Sequence, residues 1–487
     1  MPVSWQALPH RSKRGALKQF VLCLLKKIHT IEIFYFFADI SLVTSLRHPL
    51  STLPELSHDP LAFRAMPLTP VPDTAVAFQT RPIAIALTGA VALAVAMGIG
   101  RFAFTPILPM MLADGVVDLP HASLLASANY LGYMLGALLC TVQPFLWSRW
   151  PGLPSLYFVS LIRAGLAATV VLTLAMALNW PTAWPALRFA AGVSSAVVFV
   201  FTSGWCMSQL ARRGAPAMGG LIFVGPGLGI VVSGVLASAM VALGWRASAA
   251  WGIFGVLALA LVFFVWRQLT GSDDKLAGRP SAGSRGASAG ISVEAPGRYE
   301  LPVLTVAYGL AGFGYIITAT FLPVIARAAL PDSAWLDLFW PIFGVGIMTG
   351  AVLATRMPAR LDRRWLLVGC YVMQAVGVLC SLVLPSMTGF AVGSLMLGLP
   401  FTAITFFAMQ EVRRVRPDAA ASLIGLLTAF YGVGQISGPP LVAVLMHRTA
   451  TASAGFSWSL QIAAGSLALG ALLFAWLARQ YPVTASR

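Results

Sequence analysis

The sequence predicts an all-α membrane protein: twelve transmembrane helices in two parallel six-helix pseudo-repeats, with both termini cytoplasmic. Three observations predict it. The first is composition. Of 487 residues, 58% are hydrophobic and only 10% charged, against about 25% charged in an ordinary soluble domain, and the mean hydropathy is +0.82. The second is a series of long apolar runs, each near the roughly 20 helical residues that cross a bilayer core about 30 Å thick. The third is an internal repeat with a polar seam between its copies.

Twelve apolar runs lie near 83–111, 122–147, 157–179, 184–207, 218–243, 248–266, 301–326, 336–355, 365–385, 388–410, 420–446 and 457–478. They are too long and too uniformly apolar for barrel strands. Helices are then the structure that satisfies its own backbone at membrane depth.

The loops set the orientation. One alternate set carries Arg149, Arg212 and Arg213, Arg267, Lys275, Arg279, Arg285 and Arg298. It continues with Arg356, Arg360, Arg363, Arg364, Arg413, Arg414, Arg416 and Arg479. The other set carries only Arg246, Arg327 and Arg448. The basic set is expected in the cytoplasm. This distribution also accounts for the net charge of +16 without invoking nucleic acid as a partner. The five cysteines (Cys23, Cys140, Cys206, Cys370 and Cys380) are scattered. Their spacing fits neither a disulfide framework nor a metal site, so they are expected to be reduced packing residues.

Residues 271–299, GSDDKLAGRPSAGSRGASAGISVEAPGRY, are polar and aperiodic, the composition of a flexible linker. The expected organisation is an N-terminal half over 81–270, a cytoplasmic linker over 271–299, a C-terminal half over 300–480 and a cytoplasmic tail over 481–487. Residues 1–80 stand outside this plan. They are expected to be a disordered extension, or to lie upstream of a start at Met66, with the patch IEIFYFF as the alternative of an interfacial helix. VLCLL is too short for a signal-peptide core.

The halves repeat in order. Gly98-Ile99-Gly100 matches Gly312-Phe313-Gly314, and at the same offset Leu108-Pro109 matches Leu322-Pro323. GLIFVGPGLG from Gly220 matches GLLTAFYGVG from Gly425, so Gly220, Gly227 and Gly229 fall on Gly425, Gly432 and Gly434. The fourth and tenth spans end in QLARR and QEVRR, pairing Gln209 with Gln410. With six spans per half, equivalent spans point the same way. That is the arrangement of a carrier with its site at the midplane between two halves.

Four stretches carry a family resemblance: GRFAFTPILPMM (100–111), YGLAGFGYIITATFLPVIAR (308–327), DLFWPIFG (337–344) and GLLTAFYGVGQISGP (425–439). On them, residues from about 82 to 480 resemble the major facilitator superfamily, and within it the bacterial YbfB/YjiJ-type branch. Arg188 in RFAAG resembles the superfamily's fourth-span arginine motif. Gly225-Pro226 with Gly227, Gly229 and Gly234 resembles its fifth-span glycine–proline motif, which implies a conformational role. Asp362, Arg363 and Arg364 loosely resemble its cytoplasmic gating loop. The first-half counterpart SRWPG departs from that pattern, which puts a two-sided charge latch in doubt. The resemblance implies alternating-access transport of a small solute.

Charged residues at membrane depth cost about 3 kcal/mol on insertion scales and so mark function. Here Arg101 and Arg188 lie deep in apolar runs, with Arg163 near a span end, and no acid or histidine does. A guanidinium keeps its charge and grips carboxylate or phosphate. Arg101 is therefore a candidate ligand for an anion, with Arg188 sharing that role or shaping the local field. The bland alternatives for Arg101 are snorkelling to the outer interface, or a structural pairing with Asp337 or with carbonyls freed by Pro106. Asn129, Tyr133, Tyr308, Tyr315, Thr318, Gln410, Tyr431 and Gln435 are the neutral polar candidates to complete a site. Each is also a candidate for an ordinary interhelical hydrogen bond. Tyr315 is the repeat equivalent of Arg101.

The expected function is secondary active transport of a small anionic organic metabolite across a bacterial inner membrane. A proton-driven exporter using edge carboxylates such as Asp337 or Glu411 is the alternative, and a membrane sensor is the alternative from another class. No Walker loop is present to supply ATP drive, and no nucleophile–base pair at membrane depth suggests an enzyme. No cofactor or metal is expected. The expected partners are a small-molecule substrate, the lipid bilayer and, left open, a coupling proton or ion, with the chain monomeric.

Overall fold

The computed structural model describes residues 81–150, 157–269, 297–330, 336–358, 361–416 and 420–482. The N-terminal extension and nearly all of the linker fall outside them. Twelve helices among the described residues are long and apolar enough to cross a membrane. They are α1 (Pro82–Ala113), α2 (Leu119–Gln143), α3 (Phe158–Ala175), α4 (Trp184–Arg212), α5 (Met218–Ala242) and α6 (Ala247–Trp266), then α7 (Glu300–Ala329), α8 (Leu336–Thr355), α9 (Arg363–Val383), α10 (Met387–Val415), α11 (Leu423–Arg448) and α12 (Ala452–Gln480). Each contains one of the twelve apolar runs, to within a few residues at the ends.

Helix ends follow local chemistry. Asp118, Asp362, Ser386 and Thr451 cap α2, α9, α10 and α12 by accepting a backbone N–H of the first turn. Gly115, Gly214 and Gly244 turn the chain out of α1, α4 and α5 at φ near +70°, a conformation that a side chain would strain. Asp114 adds a cap between helices, its carboxylate accepting Ala247 N–H at the start of α6 at 2.7 Å.

Within the halves, α2 packs on α4, α7 on α11 and α12, and α9 on α12. Across the halves, α2 packs on α11, α5 on α8, and the outer part of α1 on α7. The repeat seen in the sequence recurs as contacts. A Cβ on Gly98 would strike Gly229 Cα, and one on Gly434 would approach Gly312 at 3.1 Å. Gly227 faces Gly344 and Met348 of α8, as Gly432 faces Met134 of α2. Gly220 faces Thr355, as Gly425 faces Thr141. Small residues are what let helix backbones close up where lipid supplies no hydrophobic drive.

The two halves differ in their first spans. α7 is a continuous helix from Glu300 to Ala329. α1 loosens into a π-turn over Ala94–Ile99, passes through an irregular turn at 100–103 and resumes as an α-helix at Phe104. Gly100 and Phe102 donate five residues back, to Val95 O and Met97 O, at 2.9 and 3.0 Å. Pro106 lacks a donor and crowds the carbonyl four residues before it. The break lies just upstream of that proline, centred on Arg101.

The glycine contacts give a stability test. Gly98→Ala or Gly229→Ala must push α1 from α5 and should cost about 1–3 kcal/mol as overpacking. Gly252→Ala and Gly465→Ala, where a Cβ meets nothing within 4 Å, should stay within about 0.5 kcal/mol of the parent. Thermal unfolding of the four variants in detergent checks the contrast.

Candidate functional site

The break in α1 is held open from behind. Arg188, on α4 and 2% exposed, donates to Gly100 O at 3.1 Å and to Arg101 O at 3.0 Å. Its guanidinium lies 4.9 Å from the ring centroid of Phe104. Asn129 of α2 donates to Arg188 O at 2.9 Å, and Ser195 donates to Ala96 O at 2.7 Å. Arg188 and Ser195 therefore brace the backbone of the broken segment, and Asn129 ties α2 to α4 behind them. This is the positional form of the field-shaping alternative for Arg188.

With its carbonyl so fixed, Arg101 turns its side chain to the interface between the halves. It is 3% exposed, which excludes snorkelling in this conformation, and Asp337 is not its partner. Its terminal nitrogen donates to Gln435 Oε1 on α11 at 2.9 Å. Its guanidinium carbon lies 3.9 Å from the Tyr133 ring centroid and 5.3 Å from those of Phe102 and Tyr130. Its Nε is buried with no hydrogen-bond partner. Among the described residues the fully buried carboxylates are Glu300 and Glu411, and both pair with Arg414 at one end of the bundle. The Arg101 charge is thus buried against aromatic faces and an amide oxygen, without a carboxylate.

Gln435 joins the halves. Its oxygen accepts from Arg101 of α1 and its amide nitrogen donates to the Tyr315 hydroxyl of α7. The orientation is chemically required, because a guanidinium only donates. Arg101 and its repeat equivalent Tyr315 therefore meet on the same side chain. Around them runs an aromatic series. Tyr308 packs on Tyr431 at 4.8 Å between centroids, Tyr431 stacks on Tyr315 at 5.8 Å, and Tyr315 meets Phe401 edge-on at 4.9 Å. Tyr308 donates onward to Thr405 at 3.1 Å. Thr318, one turn along α7 from Tyr315, is buried with its hydroxyl unpartnered.

Of the residues singled out in the sequence, Arg101, Tyr133, Tyr308, Tyr315, Tyr431 and Gln435 come together, with Arg188 and Asn129 behind them. Gln410 does not. It accepts from Arg363 Nε at 2.6 Å beside a small cavity of about 120 Å³ at the basic end of the bundle. Phe102, Tyr130 and Phe401 belong to the site and were not singled out. Tyr130 stands next to Asn129 and three residues from Tyr133, a spacing that could have flagged it. Phe401 carries no signal beyond being aromatic in an aromatic-rich run.

The halves touch on both sides of Arg101. Toward the basic loops, Gly220 meets Thr355 and Gly425 meets Thr141. On the other side, Thr105 donates to Ala319 O at 2.9 Å, the Tyr130 and Thr320 hydroxyls bond at 2.8 Å, and Ser127 donates to Ile436 O at 3.2 Å. Gly234 lies against Pro341 there, and Gly225 and Gly229 lie against the α1 carbonyls of Ala90 and Ala94. Pro226 is buried between them. The arrangement is occluded.

The loop before α9 forms a different cluster. Asp362 accepts from Arg364 N, Nε and Nη2 at 2.9, 3.0 and 2.8 Å. Arg364, fully buried, also donates to Leu477 O and Tyr481 O at the end of α12. Arg414 bonds Glu300 and Glu411. These residues all lie in the C-terminal half, so the cluster ties α7, α9, α10 and α12 to one another. On the opposite face, Asp337 pairs with Arg327. Among the described residues no group of three or more His, Cys, Asp or Glu could hold a metal.

Comparison with known proteins adds a family and a fold. Residues 93–475 match the family described as the uncharacterised MFS-type transporter YbfB. No curated protein matches the chain by sequence. Among solved structures, the chain is similar to a point mutant of the nucleoside transporter NupG, with a TM-score of 0.60 and 15% identity over 81% of this chain and 99% of that one. It is also similar to a second crystal structure of NupG, with a TM-score of 0.54 and 15% identity over 81% and 98% of the two chains. At that identity the likeness is one of fold.

Two measurements follow from this geometry. Arg188→Ala strands two carbonyls, each costing about 1–3 kcal/mol when buried unpaired, and should lower the melting temperature. Arg101→Ala removes a buried charge that lacks a counter-ion and should leave it level or raised. The second concerns Asp362. Burial raises its pKa, but the hydrogen bonds and charge of Arg364, with the charge of Arg414, outweigh that and hold it below its ordinary 3.8. A lowered folded-state pKa contributes stability that is full above the unfolded value and is lost as pH falls through the folded one. Acid melts below about pH 4 should show this loss in the parent and lack it in Asp362→Asn.

Proposed function

The chain belongs to the YbfB-type major facilitator family of transporters, and from that premise we propose that it is a secondary active carrier of a small anionic organic metabolite, working by alternating access. The observation that carries the anionic part is Arg101. It is a permanent cation at the junction of the halves, 3% exposed, with an unpartnered Nε and, among the described residues, no carboxylate beside it. A lone charge buried in this way is costly, and an anion bound from solution relieves the cost. The family match supports transport as such, and the pseudo-symmetric closure around Arg101 supports a midplane site.

The proton-driven alternative rests on Asp337 and Glu411. Each is held by an arginine at an end of the bundle, away from the residues around Arg101. Placing the basic loops in the cytoplasm of a bacterial inner membrane follows the positive-inside rule.

The test is thermal stabilisation of the purified chain by carboxylates, phosphorylated metabolites and lipophilic cations. An anion present at 100 times its Kd stabilises the folded state by about 2.7 kcal/mol. Arg101→Ala should weaken that anion by about 10- to 100-fold, the loss of hydrogen bonds to a charged group. Stabilisation by lipophilic cations, undiminished in Arg101→Ala, would overturn the reading.

A further inference from the structure

We propose that the Gln435 carboxamide is a resident stand-in for a carboxylate, and that the substrate is a monocarboxylate that displaces this amide from between Arg101 and Tyr315. The inference rests on the anion reading of Arg101 and extends it to a substrate class and a binding position.

A carboxamide and a carboxylate are planar groups of the same size, each with two polar atoms on one carbon. Gln435 uses its two in the way a bound carboxylate would, one facing the Arg101 guanidinium and the other the Tyr315 hydroxyl. The Tyr315 hydroxyl now accepts from the amide. It can rotate to donate to an oxygen in the same place, so exchanging amide for carboxylate keeps both bonds and adds charge neutralisation.

Charge then selects against anions that carry a second negative charge. Among the described residues the site offers one guanidinium for an anion, because Arg188 is committed to Gly100 O and Arg101 O. A dicarboxylate or a phosphate monoester would bring a second charge among Tyr133, Phe102, Tyr431 and Phe401, where the described residues supply no further cation. The same ring faces suit an apolar or planar body attached to one carboxylate.

When the substrate leaves, Gln435 returns to Arg101 and links α1 to α11 across the halves. Arg101 is then never left facing bare apolar surface, and the empty carrier can close.

The experiment uses the full chain in detergent, with benzoate, succinate and inorganic phosphate as probes at matched ionic strength. Gln435→Glu places a fixed carboxylate in the proposed position. It should melt above the parent without ligand, and the gain should vanish when Arg101→Gln is added. Benzoate should stabilise the parent, stabilise Gln435→Ala at about tenfold lower concentration because the internal competitor is gone, and leave Gln435→Glu unmoved. If Gln435→Glu melts at or below the parent whatever stands at 101, the stand-in is overturned. If succinate or phosphate stabilises in preference to benzoate and Arg101→Ala abolishes the effect, the monocarboxylate assignment falls while the anion reading stands. If none of the three anions acts on the parent or on Gln435→Ala, the monocarboxylate assignment falls, and the melting of Gln435→Glu with and without Arg101→Gln decides whether the stand-in survives.

Discussion

The positive charge of Arg101, fixed at the junction of two helical halves with no carboxylate beside it among the described residues, is the constraint on which the rest of this structure turns. A guanidinium cannot shed its charge inside a membrane. The fold meets it with what it has: the faces of Tyr133, Tyr130 and Phe102, and one amide oxygen from Gln435. The first span departs from helical geometry at this point, and that departure frees backbone carbonyls. Arg188 satisfies two of them. The two deep arginines therefore divide the work. One is committed to backbone and holds the shape, while the other keeps an unpartnered Nε at the junction of the halves.

Closure around this centre depends on glycine at matched positions. Gly98 against Gly229 and Gly312 against Gly434 bring α1 onto α5 and α7 onto α11. Gly227 and Gly432 then let those packed pairs approach α8 and α2 of the opposite half. A carrier must open one side of such an interface while the other stays shut. Contacts built from glycine backbones, isolated hydroxyls and carbonyls are weak enough singly to exchange. The strong ion pairs lie elsewhere. Asp362, Arg364, Arg414, Glu300 and Glu411 bind helices of one half together, which favours motion of that half as a body.

Twelve spans, their boundaries to within a few residues and the order of the repeat were legible in the sequence, because apolar length and glycine spacing are local properties that lipid enforces directly. That Arg101 is a costly charge was legible for the same reason, since a charge inside an apolar run is costly wherever the helix points. Its direction was not. Snorkelling and cavity-facing placements share one sequence, and the choice between them came from Tyr133 and Gln435 on other helices. Gln410 shows the converse. As a polar residue near a span end it looked like a site residue, yet the fold gives it to Arg363. Phe401 entered the site with no local sign at all, because its role is made by Tyr315 and Phe102 packing against it.

What the sequence by itself determined is the solvent, the number of crossings, the repeat and the identity of the two arginines deep in apolar runs. Only the tertiary structure decided that α1 breaks while α7 does not, that Arg188 serves the backbone, and that Arg101 and Tyr315 meet on Gln435. The physical reason is that hydrophobicity and chain stiffness are summed along the chain. The partner of a buried charge is set by which helices converge on it, and these came from positions more than three hundred residues apart.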